Sequence, residues 1–480
     1  MSSFKKNIAY QTCYEILIFI LPLFTSPYIA RVLGAEQIGV YSFTYSIAYY
    51  FQLFGMLGIK YHGTRTIAAV RDDQEQLNHQ FNSILVLHVI VSMIATVAYL
   101  ITCLFIKSEL RTIYLLQTFF VLSAVFDINW FFNGMENFKI TVTRNSLFKV
   151  LTVICVFVFV KEKADLWKYT LIMACGMSLS QSIVWIKIRE YIKFEWPTFK
   201  DVISHLKPML ILFLPILSVS IFKYMDKIML GILSTKIEVG LYENAEKVID
   251  IPSSLIIAFG TVMLPKMTNL NANGAEDVKN NYISLSFKYL MWVSLGMAFG
   301  IFAVADIFAI NFWGEEFARC GTLLRILAIS IPFTTYANIV RTQYLMPEGH
   351  DKIYLEAMIS GVVINFSLNI ILVRTMQSTG VALATLFTEI FVMIYQMIRT
   401  NKLQHKKYIV SFMPFLIPSG IMVLVVSLIN NRYSASIITM LLEISIGAVV
   451  YIFISMIIMI KNKDFTIKNV IRIIRKGEKK

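Results

Sequence analysis

The chain has 480 residues, of which 57% are hydrophobic and only 15% charged. Soluble domains carry about 45–50% apolar and about 25% charged residues, so an ordinary soluble globule is excluded, and the hydrophobicity equally excludes disorder. The net charge of +14 raises a nucleic-acid partner, which the positions of the basic residues argue against below.

A helix needs about 20 apolar residues to cross a hydrocarbon core of about 30 Å. Stretches of that kind fall at about 10–32, 40–59, 81–106, 112–133, 141–160, 166–187, 208–233, 248–269, 284–312, 320–345, 353–373, 379–399, 410–430 and 436–460. They are about twice the length of a barrel strand and apolar all round, so they predict an all-α polytopic membrane protein with about fourteen transmembrane helices. The first follows Lys5 and Lys6, is longer than a signal core and lacks a suitable cleavage site, so it reads as a transmembrane helix. Of the 44 lysines and arginines, about 29 lie on the N-terminal side, in the tails, in loops or near the ends of the stretches. That side is therefore expected to be cytoplasmic, with both termini on it. The basic excess becomes a topology signal, and nucleic acid loses its support.

The halves of the chain resemble each other weakly. Pro22 and Pro27 in the first stretch match Pro208 and Pro215 in the seventh. Glu36-Gln-Ile-Gly39-Val-Tyr41 matches Glu238-Val-Gly240-Leu-Tyr242, and a basic residue follows each tyrosine at the same distance, Arg65 and Lys266. A repeat of six helices has the same orientation in both copies, which predicts two six-helix bundles in pseudo-repeat plus two C-terminal helices. The expected divisions are 1–200 for the N-terminal bundle, 201–405 for the C-terminal bundle, 406–460 for the two extra helices and 461–480 for a basic tail. Ile467, Val470, Ile471 and Ile474 give that tail one apolar face among lysines and arginines, which suits an interfacial helix on anionic lipids. A solvated tail is the alternative.

Enzyme signatures are absent. There is no phosphate-binding glycine loop, no zinc-protease helix and no nucleophile motif, and His62, His79, His88, His205, His350 and His405 are dispersed. Cys13, Cys103, Cys155, Cys175 and Cys320 form no paired motif and read as packing residues, so neither a metal nor a cofactor is expected. A channel lacks a filter-like loop or acidic rings. A carrier remains.

Charges at membrane depth are costly and tend to line cavities. Here they are Glu15, Asp127, Lys149, Lys223, Asp226, Lys227, Asp306, Glu389 and Glu443, with Arg31 near the outer end of the first helix. Lys223 and Lys227 share a helix face, and Asp226 is placed to pair with Lys223. With Lys149 and Arg31 they suggest a cationic cleft for an anionic ligand such as a diphosphate. Structural ion pairing or snorkelling is the alternative. Glu15, Glu389 and Glu443 read as packing glue or ion-site candidates. Asn365 and Asn369 share a face and read mainly as helix contacts, with ligand contact at Asn365 as the other reading.

Several stretches in fixed order carry a resemblance. They are Pro27–Gly34 with Gly39–Tyr41, Gly58–Arg65, Asp127–Lys139, Asp226–Gly231, Gly240–Glu246, Gln343–Pro347 and the Asn365–Asn369 helix. Together they resemble the polysaccharide transporter group (Wzx-type oligosaccharide flippases) of the multidrug/oligosaccharidyl-lipid/polysaccharide superfamily, over about residues 10–400. The resemblance implies two bundles around a central cationic cavity. It also implies a flippase of the bacterial cytoplasmic membrane, moving undecaprenyl-diphosphate-linked oligosaccharide from inner to outer leaflet by alternating access. Within it, Arg31, Lys149, Lys223 and Lys227 would face the diphosphate or acidic sugars. Asp226, Glu15, Asn365 and Glu389 would support them or couple an ion. Lipid-linked oligosaccharide, anionic lipids and polysaccharide polymerase machinery are the partners implied. A cation-coupled multidrug exporter of the same superfamily is the alternative. A membrane polymerase is disfavoured, because the outer loops are short.

Overall fold

The computed structural model describes residues 2–106 and 108–461, with side chains from Leu17 onward except Phe19 and Ser108. The expected tail helix beyond Lys461 and the side chain of Glu15 lie outside the described residues. Among the described residues the regular elements are all helical, and ten helices are long and apolar enough to cross a membrane. Their outward faces carry Ile94, Leu214, Val262 and Ile438, each more than 60% exposed. Water would not tolerate so much open apolar surface, whereas a bilayer solvates it. This is a multi-pass membrane protein.

Helices and predicted stretches do not correspond one to one. Ser2–Met56 runs through two stretches and changes direction at Gly34, where φ is 76°. Asp351–Arg399 also runs through two, with its break at Gln377, φ 53°. The 112–133 stretch is not a single helix. Ser108–Leu122 ends, turns follow, and Asn129–Gly134 begins again. The break has a local cause: the Asp127 carboxylate accepts the Asn129 backbone N–H at 2.9 Å, a turn that competes with helix.

The chain forms two compact units, divided between Glu243 and Asn244. In the first, Ser2–Met56 packs on Gln74–Leu104, Ser108–Leu122, Phe138–Phe159 and Leu206–Leu233. Its aromatic core gathers Phe81, Trp130, Phe131 and Phe132 around the short helix Ile59–Val70. Two glycines of the resemblance stretches make that packing possible. A Cβ on Gly63 would lie 2.6 Å from the Trp130 ring, and one on Gly134 would lie 2.7 Å from Ile67. The two short helices interlock, so Trp130→Ala would leave a void costing about 3–5 kcal/mol.

In the second unit Glu276–Trp313 contacts Cys320–Val340, Leu416–Arg432 and Ile437–Lys461. Phe287, Tyr336 and Tyr408 lie at one core, with Phe287 and Tyr408 stacked at 4.5 Å. Cys320–Val340 contains Pro332 and passes into a π-helical turn at Arg341–Leu345.

Candidate functional site

The helix Leu206–Leu233 approaches Ser2–Met56 closely because small residues line the contact. A Cβ on Gly231 would collide with the Phe43 ring at 2.1 Å. Beyond it the chain turns at Ser234 and starts Lys236–Ala272, whose first turns return to the same helix. There Gly39 and Gly240 meet backbone to backbone. A Cβ on Gly39 would lie 1.6 Å from the Lys236 carbonyl, and one on Gly240 would lie 1.9 Å from the Ala35 carbonyl. The two halves of the repeated motif thus pack against each other.

This crossing assembles a polar centre. Lys227 is 4% exposed, and its Nζ lies 2.8 Å from Glu243 Oε2. The same carboxylate oxygen accepts the Ser42 hydroxyl at 2.8 Å. One residue before the lysine, Asp226 is buried and accepts the Tyr242 hydroxyl at 3.1 Å. Two carboxylates, a lysine and two hydroxyl donors therefore satisfy one another in a place poor in water.

Tyrosines wall the centre. Tyr41, Tyr45 and Tyr49 recur every four residues, so they share a face of Ser2–Met56. Tyr49 stacks on Tyr224 at 3.9 Å, Tyr45 lies 4.7 Å from Phe120, and Tyr41 meets Tyr169 edge-on at 4.8 Å. Lys227 Nζ stands 5.1 Å from the Tyr224 ring centroid, within cation–π range. Lys223, one turn before Lys227, is exposed, and its charge acts on Tyr49.

The predicted residues are thus distributed as follows. Lys223, Asp226 and Lys227 converge on the tyrosine-lined centre. Arg31 is exposed on Ser2–Met56, and Lys149 is half-buried on Phe138–Phe159. Those two helices pack together, with Tyr28 and Phe157 at 4.6 Å. Asn365 and Glu389 belong to the second unit. Asn365 is buried and accepts the Asn369 amide at 3.1 Å, a bond within its own helix. Glu389 is bonded to Thr334 and feels the Arg341 charge.

Sequence reasoning missed Glu243 and Ser42, because both look like ordinary loop-side polar residues until the crossing brings them to Lys227. The four-residue spacing of Tyr41, Tyr45 and Tyr49 was the available signal for the wall. Two further basic residues are buried. Arg144, 7% exposed, donates to Gln181, Asn129 and Asn145 at 3.2, 2.7 and 2.6 Å, and Gln181 in turn donates to Asp127 at 3.1 Å. Lys279, 1% exposed, bridges Glu276 and Glu348 at 2.9 and 2.7 Å. Each is buried because carboxylate or amide oxygens surround it.

With this geometry in view, residues 4–271 match the model of a family described as polysaccharide biosynthesis protein. The chain belongs to that family. A protein named as an O-antigen transporter in Shigella dysenteriae is 22% identical over 398 residues, covering 82% of this chain and 99% of its own. A protein of the same name in Escherichia coli (strain K12) is 22% identical over 416 residues, covering 84% and 98%. The lipid II flippase MurJ of Bacillus subtilis is 26% identical over a shorter 161 residues, 33% of this chain and 29% of its own. Among solved structures, a lipid II flippase MurJ in an inward closed conformation superposes with a TM-score of 0.78 at 17% identity, covering 95% of this chain and 99% of that one. An inward-facing multidrug resistance MATE family transporter of the MOP superfamily reaches 0.61 at 14% identity, covering 80% and 96%. At such identities these structures share the fold with this chain.

Proposed function

We propose that this chain is a flippase that moves an undecaprenyl-diphosphate-linked oligosaccharide repeat unit from the inner to the outer leaflet of the bacterial cytoplasmic membrane for surface polysaccharide assembly. The observation that carries the reading is the tyrosine wall around the Lys227–Glu243 pair. It sets aromatic faces for sugar rings beside a lysine for phosphate, in a member of a polysaccharide biosynthesis family. The roles for which similar proteins are named, O-antigen transport and lipid II flipping, support the same class of cargo.

The mechanism follows from competition for Lys227. At rest Glu243 holds its ammonium. An entering diphosphate brings more negative charge than one carboxylate and draws the lysine to itself, and a proton taken up by Glu243 releases it. Lys223, Arg31 and Lys149 add positive charge along the path. Asp226 and Glu15 support it, and Asn365 and Glu389 serve ion coupling in the C-terminal half.

The topology proposed has fourteen crossings. It counts the two parts of Ser2–Met56 and of Asp351–Arg399 separately, and takes the broken segment 108–134 as one. Two six-helix bundles, residues 1–200 and 201–405, then alternate access, with 406–460 as extra helices and both termini cytoplasmic. The Gly39–Gly240 crossing falls on the outer side, so its separation belongs to outward opening. Anionic lipids and polymerase machinery are the remaining partners.

The test uses host cells lacking this protein. Complete lipid-linked repeat units should accumulate on the cytoplasmic leaflet while surface polysaccharide falls, and the intact gene should reverse both. Unchanged glycan pools with raised drug sensitivity would replace this reading by the multidrug exporter.

A further inference from the structure

A cavity of about 470 Å³ lies inside the second unit, among Glu276–Trp313, Leu416–Arg432 and Ile437–Lys461. Cavities of this size hold small ligands. Glycines open it. A Cβ on Gly296 would meet the Tyr451 ring at 2.5 Å, and one on Gly300 would meet only Met422 Cε at 3.9 Å. The lining is aliphatic and aromatic except at Glu443, which among the described lining residues carries the single formal charge. Glu443 is fully buried, and neither carboxylate oxygen has a hydrogen-bond partner. The buried Trp292 indole N–H is likewise unmet, and its ring stacks with Tyr451 at 6.2 Å and 12°.

A carboxyl left alone in hydrocarbon is costly, so the arrangement asks for a ligand that satisfies it. The chemistry required is a cation that donates N–H bonds. Aromatic rings beside it favour an ammonium. The rest of the cavity asks for hydrocarbon. Glu443 lies in the second turn of its helix, and Tyr451 lies eight residues on, about 12 Å along the axis. Charge at one end and apolar surface along the remainder describe an amphiphile lying parallel to the helix.

We infer that this cavity binds a phospholipid with a primary ammonium headgroup, its amine on Glu443 and an acyl chain along Gly300, Trp292 and Tyr451. In the orientation proposed above, Ile437 marks the outer end, which makes this a lipid of the outer leaflet; the binding chemistry itself does not depend on the cargo at Lys227.

The test is native mass spectrometry of the full chain released from detergent containing equal phosphatidylethanolamine and phosphatidylglycerol. The unaltered chain should retain one phosphatidylethanolamine with about tenfold preference. Glu443→Gln should lose the preference. Gly300→Leu fills the space but leaves the carboxyl in place, and it should lower retention of both lipids. Equal retention of the two lipids by the unaltered chain, or unchanged preference in Glu443→Gln, overturns the inference. Should Glu443→Gln fail to assemble, undiminished phosphatidylethanolamine retention in Gly300→Leu overturns it alone.

Discussion

Replacing Lys227 by Met separates a ligand role from a structural one. The Lys227 and Glu243 side chains are 5% and 16% exposed, so neither is solvated enough to lose the other cheaply. Breaking a buried pair by removing one partner costs about 3–5 kcal/mol. The residual exposure of Glu243 places Lys227→Met near the lower end, about 3 kcal/mol, which is roughly a hundredfold in the folded-to-unfolded ratio. Adding Glu243→Gln removes the stranded charge, and stability should return to within about 1 kcal/mol of the starting protein. Two measurements are made on all four proteins: unfolding in detergent by denaturant, and repeat-unit translocation in cells. The expected result is that the double variant regains stability while translocation stays lost. A double variant that translocates normally would refute the phosphate role of Lys227. A Lys227→Met protein of unchanged stability would refute the buried pair itself.

Three further outcomes follow from the same structure. Gly240→Ala would put a methyl group 1.9 Å from the Ala35 carbonyl; relieving that overlap should cost about 1–3 kcal/mol in an unfolding titration and reduce translocation, and a variant matching the parent in both would show that the crossing is loose. Arg144→Leu strips the network around Asn129 and Gln181 and should destabilise by about 3 kcal/mol, with Asp127→Asn restoring part of the loss; purely additive effects in that cycle would mean that the two charges do not interact. His62 Nε2 lies 2.9 Å from His205 Nδ1, and burial, aided by His205 and Arg65, pushes His62 down to about 4 from an ordinary value of 6.5. Between those pH values the unfolded chain binds the extra proton, so stability should be full above about pH 6.5 and fall by about 3 kcal/mol as pH drops through 4. Melting curves across that window should flatten in His62→Gln, and an unchanged pH slope would count against the assignment.

Apolar periodicity and length made the helical membrane fold readable, because crossing a bilayer imposes a length that soluble packing does not. Where the reading slipped, a local competitor was at work. Asp127 draws the Asn129 N–H out of a helical ladder and splits a run that hydropathy alone treats as continuous. Gly34 and Gln377, by contrast, break two long helices inside the gaps that hydropathy leaves at 33–39 and 374–378. The charges at membrane depth were equally visible, but their partners were not. Lys227 was conspicuous in an apolar run, whereas Glu243 sits among residues of ordinary polarity, and only the tertiary crossing puts them 2.8 Å apart. Arg144 and Lys279 show the same limit, since the amide and carboxylate oxygens that enclose them come from distant parts of the chain.

The short motif that occurs twice in the sequence has a steric meaning in the structure. Its copies share a glycine followed two residues later by tyrosine, at Gly39–Tyr41 and Gly240–Tyr242. Those glycines are the points where the two segments touch, each leaving room for a carbonyl on the other segment that any Cβ would strike. The tyrosines then serve the same centre from both sides: Tyr41 stands in the wall, and Tyr242 donates to Asp226 beside Lys227. The residues that the two motif copies share are therefore the ones that set the crossing, and the crossing in turn holds Lys227 and Glu243 within reach of each other.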